Sequence, residues 1–144
     1  MKKVSKIVLG CTMGGMCLAI MLLCAGCKGE KEPIQKIKDL EFTVIAEENI
    51  PEEFLVLLQE KKEDGMKMTY QDAGFLYICI GYGRQESGGF SIAVNEVYET
   101  DNAIYFDTTL LGPQPGDSPP KKNSPSFPFI VVKTEFIDKP VVFE

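Results

Sequence analysis

The feature that most limits the fold of this chain is a long uncharged stretch near the N-terminus, which cannot belong to a water-exposed domain. Residues 7–26 carry no charged side chain, and they follow a short basic segment with Lys2, Lys3 and Lys6. Twenty helical residues span about 30 Å, so the stretch has the length of a signal peptide or of a membrane span. The rest of the 144-residue chain has room for one modest domain.

The end of this stretch favours lipid attachment over a membrane span. Ala25 and Gly26 stand directly before Cys27, and small residues before a cysteine suit a lipoprotein signal peptidase. The segment resembles the bacterial lipobox, except that Cys24 stands where a leucine is usual. The sequence therefore predicts a lipoprotein signal peptide over residues 1–26 and a lipid (palmitate among its acyl chains) on Cys27. An uncleaved membrane anchor and simple secretion remain as alternatives. All three hypotheses place the body outside the cytoplasm, and both the lipoprotein and the uncleaved anchor attach it to the membrane.

The composition of the remaining residues excludes several functions. Without the three N-terminal lysines, the chain has 12 basic and 21 acidic residues, which gives a net charge of −9. A domain with this charge repels phosphate backbones and anionic lipid headgroups. We therefore expect no nucleic-acid partner. The chain has no histidine, the usual general base and zinc ligand, so we predict no enzyme activity, no catalytic residue, no metal and no cofactor. Cys79, the one cysteine after Cys27, lies in a very apolar segment, which predicts a buried and inert thiol.

A charged segment and then a helix open the body. Residues 27–39 are rich in charge and include Pro33, which is typical of a flexible tether, so we place a single domain over residues 40–144. Residues 41–46 alternate as a short strand does. An amphipathic helix should follow, capped by Asn49, with Pro51 in its first turn and Gly65 as its stop.

The second half of the body has the pattern of strands. Residues 74–80 are apolar at nearly every position, which indicates a central strand buried on both faces. Further strands are predicted near residues 90–95, 103–111 and 127–136, with an edge strand at 141–143. A helix before consecutive strands predicts an α+β fold, an antiparallel sheet of four to six strands with one amphipathic helix packed on one face.

Two loops interrupt the strands and supply the candidate contact residues. Residues 81–89 include four glycines but lack the Gly-Lys-Ser/Thr of a phosphate-binding loop, so we interpret them as a wide hairpin that needs positive φ angles. Residues 112–126 hold five of the nine prolines, and prolines reduce the entropy lost on binding. The second loop is either a protein-contact loop or a stiffened, solvated connection. The candidate contact residues are Arg84, Ser87, Pro113, Pro115, Lys121 and Lys122.

Three segments in order resemble one known family. They are the run Gly83–Ile92, the Pro-Gln-Pro-Gly of residues 113–116, and the Pro-aromatic strand of residues 127–133. Together, over about residues 75–136, they resemble the C-terminal domain of the PrcB family of protease-complex subunits. The resemblance implies a lipoprotein domain that associates with and stabilises an extracellular subtilisin-like protease and has no catalytic residues of its own.

The sequence thus favours a non-catalytic surface lipoprotein that acts as a protein-binding module, with the membrane and a secreted protease as partners. A cell-wall or small-molecule binding lipoprotein, which would use the sheet face or the glycine loop, is the alternative. A third hypothesis is a hydrolase with an unrecognised carboxylate pair or Ser–Lys site.

Overall fold

A computed structural model describes residues 33–116 and 124–144 of the chain. Within these ranges the chain forms eight β-strands, one α-helix and one short 3₁₀-helix. In chain order they are β1 (Lys36–Asp39), β2 (Thr43–Val44), the 3₁₀-helix (Glu47–Asn49), α1 (Glu52–Lys61), β3 (Met66–Asp72), β4 (Phe75–Gly81), β5 (Ser91–Thr100), β6 (Ile104–Leu111), β7 (Phe129–Glu135) and β8 (Val141–Phe143). The signal peptide predicted over residues 1–26 and the lipid site Cys27 lie outside the described residues.

The strands form two four-stranded sheets. Sheet A has the order β1-β5-β6-β8, and sheet B has the order β2-β7-β4-β3. All neighbours in the two sheets are antiparallel except β6 and β8, which are parallel. The predicted α+β class is confirmed, although the strands are divided between two sheets where the sequence predicted one. The edge strand expected at residues 141–143 is β8.

The main core lies between the two sheets. Alternate residues of β4 and Val132 of β7 supply the part that belongs to sheet B, and branched and aromatic residues of β5 and β6 supply the part that belongs to sheet A. The fully or almost fully buried members are Leu76, Ile78, Ile80, Val97, Ile104, Phe106 and Val132. Each such side chain contributes about 1.5–3 kcal/mol when it is removed from water.

A second core lies on the other face of sheet B, beneath α1. Phe54 and Leu58 are one helical turn apart and both are completely buried, and they pack in the same cluster as Tyr77, Cys79 and Val131 of the sheet. The helix therefore packs on one face of a sheet, as predicted. Because β4 faces sheet A on one side and α1 on the other, both of its faces are apolar, and its predicted central position is confirmed.

The helix boundaries differ from those predicted. Asn49 lies in the 3₁₀-helix and does not cap α1, so the predicted cap is wrong. Pro51 directly precedes the helix with an extended ψ of 132°, and no side chain caps the first turn. The helix ends at Lys61, and Gly65, with a φ of 81°, lies three residues after the C-cap residue Lys62 in the turn before β3.

Two strands at the start of the domain were not foreseen. β1 pairs with β5, so residues 36–39, assigned from sequence to the tether, belong to sheet A. β3 was missed although Met66, Met68 and Tyr70 alternate with polar residues. The strand expected at residues 41–46 is reduced to β2, because the chain turns into the 3₁₀-helix after Val44.

The glycine-rich loop is not a hairpin. It leaves β4 in sheet B and enters β5 in sheet A, and these two strands are not paired. The predicted positive φ angles are present at Gly83 and Gly89. The loop therefore crosses from one sheet to the other. No helix among the described residues, 33–116 and 124–144, is long and apolar enough to cross a bilayer.

Candidate protein-binding surface

Three connections meet at one end of the two-sheet sandwich. The connection before β3, the end of β4 and the start of β7 lie at this end, because Met66 pairs with Gly81 and Gly81 pairs with Phe129. The end of β6 lies there too, because Pro113, which follows it, packs against Gly89 of the loop that leaves β4. We call the described residues of these connections the loop surface: residues 62–65, 82–90, 112–116 and 124–128. The two loops that the sequence singled out therefore lie at the same end of the domain.

Gly83 joins the glycine-rich loop to the turn after the helix. Its φ is 68°, and a Cβ atom at this position would lie 2.9 Å from the Gly65 nitrogen and 3.0 Å from the Glu63 carbonyl oxygen. The next residue, Arg84, donates its backbone N–H to the same Glu63 carbonyl at 3.0 Å. Only glycine fits here, because any side chain would both strain the backbone and collide with the neighbouring chain.

Ser126 joins the glycine-rich loop to the end of the Pro-rich loop. Gln85 and Ser126 exchange two backbone hydrogen bonds, of 2.8 and 3.1 Å, as an isolated antiparallel bridge. The Ser126 hydroxyl also donates to the Ser87 carbonyl at 2.6 Å. These three bonds tie together residues about forty positions apart in sequence, so they fix the relative position of the two loops.

The start of the Pro-rich loop contacts the other end of the glycine-rich loop. Gly89 has a φ of 86°, and a Cβ placed there would lie 3.2 Å from Cγ of Pro113. The proline ring thus packs closely against the Gly89 backbone. Both ends of the Pro-rich loop are therefore held by the glycine-rich loop.

Aromatic residues anchor the loop surface to the body of the domain. The Tyr82 hydroxyl lies 2.9 Å from the Thr108 hydroxyl, and the Tyr82 N–H donates to the Pro128 carbonyl at 3.0 Å. On the helix side, the Lys62 ammonium lies 5.8 Å from the centre of the Phe127 ring, within the range of a cation–π contact. The Tyr82 hydroxyl therefore ties the loop surface to β6 of sheet A, and the other two contacts join segments of the loop surface to one another.

The predicted contact residues take different positions on this surface. Arg84 and Pro115 are exposed, whereas Ser87 and Pro113 are half-buried and participate in the contacts between the loops. Lys121 and Lys122 lie outside the described residues. Sequence reasoning missed Ser126 and Lys62, because neither stands in a recognisable motif and their partners are distant in sequence.

The chemistry available in the described residues is limited. Burial raises the pKa of the Cys79 thiol to about 12, so this sulfur stays protonated at physiological pH and does not act as a nucleophile. Within residues 33–116 and 124–144, no group of three or more cysteine, aspartate or glutamate side chains could hold a metal ion. The buried polar side chains in these ranges are threonines: Thr100, Thr108 and Thr134. What the loop surface does offer is an exposed, fixed backbone with protruding side chains.

An open groove of about 1050 Å³ lies away from the loop surface. The residues that line it come from the crossover between β1 and β2, from the start of β4 and from the end of β7. Phe42 and Phe75 are each more than a third exposed, and the Lys133 ammonium lies 3.8 Å from the centre of the Phe75 ring. The groove therefore combines aromatic faces with charged side chains.

One family matches this part of the chain. Residues 76–135 match the PrcB C-terminal family, and this range runs from β4 to β7 and contains the glycine-rich loop and the whole Pro-rich loop. The resemblance seen in the sequence is thus confirmed as a match to this family over less than half of the chain. No curated protein and no solved structure shows significant similarity to the chain.

Proposed function

We propose that this protein is a non-catalytic, lipid-anchored binding module whose loop surface holds another protein, a secreted protease. The PrcB C-terminal match supports this role, because the resemblance to the PrcB family implies a subunit of a protease complex. The single observation that carries the assignment to the loop surface is that the matched region includes both loops and the contacts between them.

The geometry of the loop surface suits protein binding. Its backbone is fixed by the Gln85–Ser126 bridge and by the packing of Gly83 and Gly89. A partner that binds a loop held in one conformation loses less conformational entropy than one that binds a mobile loop. Arg84, the one arginine of the chain, is exposed there, and arginine is enriched among the residues that contribute most to protein interfaces.

The membrane attachment that we propose is hydrophobic. The residues after position 26 carry a net charge of −9, so electrostatic attraction to anionic lipid headgroups does not supply it. Two or three acyl chains on Cys27, each buried CH₂ contributing about 0.8 kcal/mol, would give stable attachment.

A second candidate function is the binding of a cell-wall fragment or another small molecule. It is favoured by the groove beside Phe42 and Phe75, since exposed aromatic rings stack on sugars and charged side chains can orient a polar ligand. This function would use the opposite end of β4 from the loop surface, so the two candidates are separable by mutation.

Affinity capture of the detergent-solubilised full chain tests the proposal. We expect a secreted protease to copurify in stoichiometric amount and to react with a serine-hydrolase activity probe, and its lifetime in culture to fall when the chain is deleted. The mass of the N-terminal peptide should show acylated Cys27. An unmodified Met1 terminus would refute the lipid anchor, and retention on peptidoglycan without a protein partner would favour the second candidate.

A further inference from the structure

β3 differs from the other edge strands of the two sheets. Natural edges are protected by short length, by bulges and by charged side chains. β2 has two residues and β8 has three, while β1 has a register irregularity after Lys36 and two lysines paired with acidic residues. β3 has seven residues in unbroken register with β4. It is the longest regular edge in the described part of the chain.

The alternation of β3 fixes which of its backbone groups face outward. Asp72 and Phe75 flank a two-residue turn and therefore form a hydrogen-bonded pair, and every second residue back from Asp72 also bonds to β4. Lys67, Thr69 and Gln71 then direct their N–H and C=O groups away from β4. Among residues 33–116 and 124–144, no backbone hydrogen bond from outside the sheet reaches these three residues.

We propose that a second copy of this chain pairs with β3 along this edge, antiparallel, about a two-fold axis at Thr69. In this register Thr69 stands opposite Thr69 of the second copy, and Lys67 stands opposite Gln71. Each of these is a hydrogen-bonded pair that exchanges two backbone bonds, and a Thr–Thr pair is favourable across strands. Sheet B becomes one continuous eight-stranded sheet.

The charges of β3 select this register. An axis at Lys67 would place two ammonium groups directly opposite each other, which is destabilising. An axis at Gln71 would bring Thr69 against Ala73, which belongs to the turn and has a φ of 49°. With the axis at Thr69 no like charges are opposed. The Lys67 ammonium lies 5.8 Å from the Phe143 ring of sheet A, so it is directed toward the sandwich and leaves the edge accessible.

An exposed leucine beside β3 supports a second copy of the chain as the binding partner of this edge. Glu53 accepts a hydrogen bond from the Tyr70 hydroxyl of β3 at 2.8 Å, so this side of α1 faces the edge strand. Leu57 lies one turn after Glu53 on the same side of the helix and is 40% exposed. A two-fold axis perpendicular to the sheet brings the helices of both copies to the same side, where the two Leu57 side chains can approach each other. Self-association thus covers apolar surface as well as the edge.

The association state of the detergent-solubilised full chain tests this inference. We expect a dimer mass by sedimentation equilibrium in density-matched detergent. Thr69→Arg, which places two guanidinium groups opposite each other, should reduce the mass to that of a monomer. Thr109→Arg, at an exposed position on the outer face of sheet A, is the matched control and should remain dimeric. Both variants should keep the circular dichroism spectrum of the folded wild-type chain, because both changes are at exposed positions.

A cross-link gives an independent measurement of the register. In a hydrogen-bonded antiparallel pair the Cα atoms are about 5.5 Å apart, a separation that a disulfide can bridge. Oxidised Thr69→Cys should yield a peptide linked to its own copy through position 69, detected by mass spectrometry, and Thr109→Cys should not. A monomeric wild-type chain, a dimer that survives Thr69→Arg, or a different protein segment cross-linked to position 69 would overturn the proposal. Loss of protease capture alone leaves it standing, because β3 pairing does not depend on the loop surface.

Discussion

The two ends of the sandwich are built in opposite ways. At one end, β3 and β4 are joined by the two residues Ala73 and Gly74, and β5 and β6 by a turn in which Thr100 bonds to Ala103 through backbone and side chain. At the other end, the strands are joined by the long connections of the loop surface. The two turns of this tight end close on near neighbours in sequence, whereas the connections of the loop end are held together by residues that are distant in sequence.

This difference indicates where a binding function can be located. A tight turn leaves no room for variation without loss of strand register. The loop end presents exposed residues on a backbone whose position is fixed by Gly83, Gly89 and Ser126. Rigid scaffolds that position long loops are a common arrangement for recognition. We therefore expect substitutions at the contacts between distant residues of the loop end to have the largest effect on the free energy of unfolding.

The largest effect is expected at Gly83. Gly83→Ala introduces a Cβ atom 2.9 Å from the Gly65 nitrogen at a φ of 68°, so the free energy of unfolding should fall by about 2–3 kcal/mol. Gly88→Ala is the control, because nothing lies within 4 Å of its Cβ position, and it should change stability little. Urea unfolding of the two variants gives the measurement, and equal midpoints would show that the close approach at Gly83 is not a constraint.

A smaller effect is expected at Ser126. Ser126→Ala removes the 2.6 Å hydrogen bond to the Ser87 carbonyl and should lower the free energy of unfolding by about 1 kcal/mol. Hydrogen exchange should increase in residues 84–89, because the bridge to the Pro-rich loop is weakened, and it should not change at the turn of residues 101–102. The exposed Ser124 provides the control substitution to alanine. Unchanged exchange in residues 84–89 would contradict the role of this bond.

At the tight end, one substitution should be stabilising. Ala73 has a φ of 49° and is the one residue other than glycine with a positive φ in the described chain. Asn-Gly is the favoured pair in such a two-residue turn, so Ala73→Asn should raise the free energy of unfolding by about 0.5 kcal/mol. Gly74→Ala, at a φ of 82°, should have the opposite sign in the same urea titration. A decrease for Ala73→Asn would show that the turn is not of this type.

The smallest effect is a pH dependence at the tight end. The Lys139 ammonium donates to Glu99 at 2.7 Å and to the Thr100 carbonyl at 2.7 Å, and this hydrogen bond lowers the pKa of Glu99. A carboxyl group whose pKa is lowered by folding stabilises the protein above its unfolded pKa. This contribution is lost as the pH falls through the folded-state pKa. Glu99→Gln should therefore lose less stability than wild type between neutral and acidic pH, as measured by the urea midpoint at each pH. The same dependence of the urea midpoint on pH in both chains would refute this.

The sequence predicts some of these elements better than others, for physical reasons. β4 and α1 were identified because burial imposes a strong local pattern on their residues. β3 has such a pattern too, in Met66, Met68 and Tyr70, but polar neighbours and an exposed face weaken it. β1 was hidden because the salt bridges of Lys36 and Lys38 give it the composition of a solvated linker.

The candidate surface was only partly predictable. Glycines and prolines mark loops, so Arg84, Ser87, Pro113 and Pro115 were assigned to loops, and in the structure these four residues lie outside the helices and strands; that they contact a partner stays a prediction. Which sheet each strand joins depends on the packing of the whole chain, and for this reason the glycine-rich loop was mistaken for a hairpin. The contact between Ser126 and Ser87 follows from that packing and has no local signal.

Protease capture by loop-end variants tests the central claim most directly. The full chain carrying Arg84→Ala and Pro115→Ala is compared with wild type and with Lys38→Ala, an exposed lysine on sheet A. If the loop surface holds the partner, the double variant should bind the copurifying protease about tenfold more weakly, while Lys38→Ala binds as wild type does. Equal binding by all three chains, with their folds intact by circular dichroism, would contradict the loop surface as the binding site.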